Sequence, residues 1–169
     1  MMLVGQRRVF WLCFLTALTL IWTFIIFAQS AKNGEESTED TNKVMEIIEE
    51  VADAMGVDWE ISTHLVRKAA HFGEYMILGI LGALLTAVVG GGWRCISAFL
   101  YAASVAFCDE FAVQRFSEGR APQLTDVLID SAGAITGVVF VMAMLFLIKR
   151  KRKSNDSTKR ENECGKRVG

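Results

Sequence analysis

The chain has 169 residues, of which 52% are hydrophobic and one is proline, with 18 lysines and arginines against 19 aspartates and glutamates for a net charge of −1. Its apolar residues lie in blocks long enough to cross a bilayer, which excludes an ordinary soluble domain. The near-zero net charge hides a strong separation of acidic from basic segments, and no nucleic-acid motif is present.

Arg7 and Arg8 precede an uninterrupted apolar stretch from Val9 to Ala28. As a helix rising roughly 1.5 Å per residue it covers about 30 Å, the thickness of a hydrocarbon core. Ala28-Gln29-Ser30 is similar to a signal-peptide cleavage site. The run is longer than the roughly 7 to 15 apolar residues of a signal peptide, however, which favours an uncleaved anchor over residues 1–29.

Residues 30–66 turn polar and acidic, from Glu35 through Glu60, and read as a linker. Within it Val44, Ile47, Ile48, Val51 and Met55 recur at helical spacing opposite Glu46, Glu49, Glu50 and Asp53. That pattern predicts an amphipathic helix from Asn42 to Met55, ended by Gly56 and resting on its neighbours.

Residues 67–148 hold three further crossings. The first starts in charge, with Arg67, Lys68, His71 and Glu74 ahead of the apolar run Tyr75 to Val89. About fifteen apolar residues make only roughly 22 Å of helix, so the span must extend outward through Glu74 and His71. The next has the same defect, because only Cys95 to Cys108 separates Arg94 from Asp109 and Glu110. The last runs from about Thr125 to Ile148, with Asp126 and Asp130 near its start and the basic segment Lys149 to Lys153 at its end. Residues 149–169 read as a basic tail, disordered from Asn155 onward. The four cysteines, Cys13, Cys95, Cys108 and Cys164, show no C-x-x-C spacing and are expected to be reduced.

The fold expected is all-α: a polytopic membrane protein with four transmembrane helices. Arg7, Arg8, Arg94 and the basic tail mark one side as cytoplasmic, which puts both termini inside and the acidic segments outside. His71, Glu74, Asp109, Glu110, Gln114, Arg115, Arg120, Asp126 and Asp130 then fall at one level near the outer boundary. Arg67, His71 and Tyr75 share a helix face, as do Asp126 with Asp130 and Gly133 with Gly137. Charge so placed is costly and marks a candidate site. Arg67, Lys68 and Arg120 suit phosphate or carboxylate, while the carboxylates suit a cation or sugar hydroxyls. The glycines read as helix-packing contacts.

Four roles fit these charges. They could lock the outer helix ends together, bind an envelope lipid, cell-wall precursor or glycopeptide, or support membrane-embedded, metal-dependent hydrolysis of a lipid-linked substrate. A transport pathway would require a homo-oligomer, since four helices without an internal repeat do not make one. Neither H-E-x-x-H nor G-x-S-x-G occurs, so no catalytic residue, resident metal or cofactor is assigned.

Two blocks carry a family resemblance over about Arg67 to Gly137. The first is Arg67-Lys68-Ala69-Ala70-His71-Phe72-Gly73-Glu74-Tyr75 with Leu78-Gly79. The second is Asp109-Glu110, Gln114, Phe116, Gly119-Arg120, Asp126-Val127-Leu128-Ile129-Asp130 and Gly133. Together they resemble the VanZ-like bacterial membrane proteins, with a similar first helix and linker ahead of them. The resemblance implies a multi-pass protein of the bacterial cytoplasmic membrane and a part in cell-envelope function or in resistance to the glycopeptide teicoplanin. It supplies a process rather than a reaction. Two departures stand out: Ser117-Glu118 replaces a segment where the family often has proline, and Asp130 sits where many relatives carry asparagine. The second departure implies a hydrogen-bonding role for Asp130 rather than that of an obligatory metal ligand.

Overall fold

A computed structural model describes residues 2–32, 34–56, 62–90, 94–113 and 123–168. All the regular structure among them is helical: α1 (Met2–Ser30), α2 (Gly34–Met55), α3 (Thr63–Val89), α4 (Arg94–Cys108), a π-helical turn (Asp109–Val113) and α5 (Leu124–Val168). Four of these helices are long and apolar enough to cross a membrane. The third such span, Cys95–Ala112, continues from α4 into the π-helical turn, so Asp109 and Glu110 lie within it. The short apolar run is thereby extended to a membrane's width, and its two carboxylates are carried into the bundle.

Local chemistry fixes the helix ends. Ser62 caps α3, its side chain accepting from the backbone N–H of Leu65. Gly56 after α2 and Gly90 after α3 have positive φ, which a Cβ disfavours and glycine permits. α2 begins at Gly34, well before the apolar periodicity sets in at Asn42. Its residues Val44, Ile47, Val51 and Met55 are exposed, so most of its apolar stripe is not covered by the rest of the chain. α5 continues as helix through the basic tail to Val168, where composition predicts disorder from Asn155. The segment has no proline and is rich in Lys and Arg, both good helix formers, which favours continuation of a helix that is already nucleated.

α3 and α5 run parallel and form the main seam. A Cβ at Gly133 would fall on the Phe72 carbonyl, one at Gly137 on the Met76 carbonyl, and one at Gly79 on that of Ala134. The two backbones approach so closely that only glycine fits, the small-residue packing by which helices associate where lipid removes the hydrophobic drive. α1 and α4 run the other way beside this pair. The guanidinium of Arg8, near the start of α1, donates to the Val89 carbonyl at the end of α3 at 2.6 Å. At the opposite end of the bundle the last residues of α1 and α4 therefore meet the first turns of α3 and α5. Outward residues such as Phe10, Phe24, Val139 and Phe146 are exposed, as a lipid-facing surface requires.

Candidate functional site

The meeting of those four helix ends gathers the charged residues. Asp109, Glu110 and Asp130 are 0–1% exposed, as buried as the apolar core of Ile26, Tyr75, Leu78, Ala102, Ala106 and Ala134. Consecutive residues on a helix do not share a face, and the pair at the π-helical turn divides accordingly. Asp109 faces α1, where Ser30 Oγ donates to its Oδ2 at 2.7 Å. Glu110 faces α5, where its carboxylate accepts from the backbone N–H of Gln123. Glu110 thereby serves as a cap supplied from another helix, placed at the positive end of the α5 dipole.

α3 supplies the other half. Lys68 Nζ donates to Asp126 Oδ1 at 2.7 Å, tying the first turns of α3 and α5 together. One turn on, His71 Nδ1 lies 3.8 Å from Glu74 Oε2. His71 also meets the buried acids: one ligand atom each from His71, Asp109 and Asp130 lie within 4.8 Å of one another. Trp22 of α1 donates its indole N–H to the Glu74 carbonyl at 2.9 Å, which pins α1 against this part of α3. Neither carboxylate oxygen of Asp130, nor the hydroxyl of Tyr75, has a hydrogen-bond partner among the described residues. Asp130 is 1% exposed, and no donor among the described residues reaches its carboxylate.

Above His71 a cavity of about 230 Å³ opens between α1, α2 and α3. Gln29, Lys32, Asp40, Arg67, His71 and Glu74 contribute its polar lining. Lys32 Nζ pairs with Asp40 Oδ2 at 2.6 Å, and this ammonium beside it holds the Asp40 carboxyl below its usual range. On the exposed side of α2, Glu39 raises Lys43 in the same manner. Arg67 has no acidic partner among the described residues.

Of the residues singled out in the sequence, Arg67, Lys68, His71, Glu74, Tyr75, Asp109, Glu110, Asp126 and Asp130 all fall at this end of the bundle. Gln114, Arg115 and Arg120 lie outside the described residues. Ser30 is the partner that sequence reasoning missed. Its place right after the apolar run suggested a cleavage-site residue, whereas it is 1% exposed and holds a buried carboxylate. Its depth, level with the acids of the other spans, is the signal that could have revealed it.

A bundle of four apolar spans that buries three carboxylates is a multi-pass membrane protein with ionisable side chains in its interior. The chain belongs to the VanZ/LLP1 family, whose model matches residues 4–148. No curated protein and no solved structure matches it.

Proposed function

We propose that the cavity between α1, α2 and α3 binds the anionic headgroup of an envelope lipid or of a lipid-linked cell-wall precursor, at the outer face of the bacterial cytoplasmic membrane. The observation that carries this reading is Arg67, a guanidinium that lines the cavity with no acidic partner among the described residues. Its planar fork suits phosphate or carboxylate oxygens. The neighbouring cations are engaged, Lys32 with Asp40 and Lys68 with Asp126. A volume of about 230 Å³ is below the roughly 300 to 1,000 Å³ of pockets that enclose drug-sized ligands, which favours a headgroup over a whole glycopeptide. In this reading the basic tail faces the cytoplasm, and any protection against teicoplanin follows from holding the precursor or lipid rather than the antibiotic.

The test uses the full chain in lipid nanodiscs, with native mass spectrometry of retained lipid. Phosphatidylglycerol and an undecaprenyl-phosphate carrier, each against phosphatidylcholine, distinguish the two sources. Arg67→Ala should weaken retention of the anionic lipid roughly tenfold, the loss expected for one charge-assisted contact. Equal retention by wild type and Arg67→Ala would overturn the reading. In cells, Arg67→Ala should accumulate normally yet change teicoplanin susceptibility. Loss of the variant from the membrane would instead assign Arg67 to the helix-locking role.

A further inference from the structure

The buried end of the site presents a different chemistry from the cavity above it. His71, Asp109 and Asp130 stand far apart in sequence and come from three separate elements, yet their ligand atoms converge within 4.8 Å. Both acids are essentially inaccessible, at 0% and 1% exposure. Burying one carboxylate is costly, and burying two side by side adds like-charge repulsion, unless a positive charge lies between them. Lys68, the lysine of α3, is committed to Asp126, and Asp130 has no ion-pair partner among the described residues. Asp130 is the second, independent sign of a ligand: both its oxygens are buried without a hydrogen-bond partner among the described residues.

We infer that His71, Asp109 and Asp130 form a binding site for a divalent first-row metal ion such as Zn²⁺ or Mn²⁺. An imidazole with two carboxylates is a mixed nitrogen and oxygen donor set suited to such ions and less suited to Mg²⁺ or Ca²⁺, which favour oxygen alone. The two negative charges match the ion's two positive ones. Three protein ligands leave coordination positions open for water or an anionic oxygen. Outer groups are also in place: Ser30 Oγ fixes Asp109 Oδ2 at 2.7 Å, and Glu74 Oε2 lies 3.8 Å from His71 Nδ1. Such partners orient metal ligands and adjust their basicity. The site stands independently of the headgroup reading, because it uses none of the contacts assigned to Arg67.

The experiment uses the full chain in detergent micelles, stripped with EDTA, dialysed against Zn²⁺ or Mn²⁺ alone and analysed by inductively coupled plasma mass spectrometry. Wild type should retain about one ion per chain. His71→Gln and Asp130→Asn should each lose at least roughly tenfold in affinity, the effect of removing even an outer partner of a metal site. Arg67→Ala should bind metal as wild type does, so failure of the lipid test leaves this one intact. Should a variant fail to fold, wild type alone still decides the matter through the electron spin echo of bound Mn²⁺. Coupling to a histidine nitrogen supports the site, and its absence overturns it. Retention of no metal by wild type, or equal retention by wild type, His71→Gln and Asp130→Asn, overturns it as well.

Discussion

The two ends of this bundle are held by opposite chemistry. Away from the charges, α3, α4 and α5 meet through Ala83, Ala98, Val138 and Val141, with partly buried apolar side chains around them. Each of these contacts gains from being made. At the other end, Asp109, Glu110 and Asp130 occupy positions where an apolar residue of similar size would cost nothing to bury. Glu110 is compensated by capping α5 and Asp109 by Ser30, whereas Asp130 gains no hydrogen bond among the described residues. One end therefore explains why the chain folds. The other carries a cost that the fold alone does not require, which is how a functional site departs from the pattern around it.

The largest expected effect breaks the packed half. Gly137→Ala places a Cβ on the Met76 carbonyl and close to the Ile80 backbone, and neither can rotate away as a side chain would. Separating α3 from α5 should cost about 3 kcal/mol, near the upper end for overpacking, and should lower the thermal midpoint measured by circular dichroism in micelles. Gly73→Ala is the internal control. A Cβ there meets nothing within 4 Å, so the same substitution in α3, the other helix of the seam, should be neutral, or stabilising by up to about 1 kcal/mol through helix propensity. Equal losses from both would mean that close approach is not what joins the two helices.

The second prediction inverts the sign at the polar end. In EDTA, Asp130→Asn removes a buried charge at nearly constant shape and should stabilise the protein by about 1 to 3 kcal/mol. If the charges served chiefly to lock the helices, the same change would destabilise it by a similar amount. Thermal melts with and without added Zn²⁺ separate the cases further. Wild type should gain stability from the ion in proportion to its concentration over Kd, and the variant should not.

The contrast also explains what could be read from the sequence. Four spans, the order of the charges and the packing role of Gly133 and Gly137 follow from run lengths, helical spacing and the rule that only small residues allow helices to touch. These are local properties. That His71 meets Asp109 and Asp130, rather than Glu74 alone, depends on the parallel alignment of α3 and α5 and on how far α4 continues past Cys108. The short apolar run of α4 places its carboxylates near the outer boundary, and it is the π-helical turn that buries them within the helix bundle. Ser30 stayed hidden for a related reason: its partner is in another span, and nothing near it in sequence records that.

A smaller effect tests whether α1 belongs to the site. Ser30→Ala removes the hydroxyl that donates to Asp109 Oδ2 and should cost about 1 to 2 kcal/mol, as expected when a buried acceptor loses a hydrogen bond. Ser30→Thr retains the hydroxyl and should recover part of the loss. If Ser30→Ala melts as wild type does, α1 is an anchor only, and the polar end is the work of α3, α4 and α5.

The smallest effect lies at the rim, where Lys32 and Asp40 pair across the entrance to the cavity. Both groups are solvated, and exposed ion pairs add little to stability because water and salt screen them. The sign is nevertheless defined. Asp40 is held below its ordinary value by Lys32, so whatever the pair contributes is present above about pH 4 and fades as pH falls through the lowered value. Lys32→Ala should therefore leave the thermal midpoint unchanged within error at pH 7 and flatten any small dependence below pH 4. Retention of an anionic lipid should respond differently, since the same ammonium also faces the cavity. A variant that melts as wild type does yet holds that lipid less well would separate the two ends more finely than any core substitution, because it would alter binding without altering the fold. A variant unchanged in both respects would confine headgroup recognition to Arg67 and the floor of the cavity.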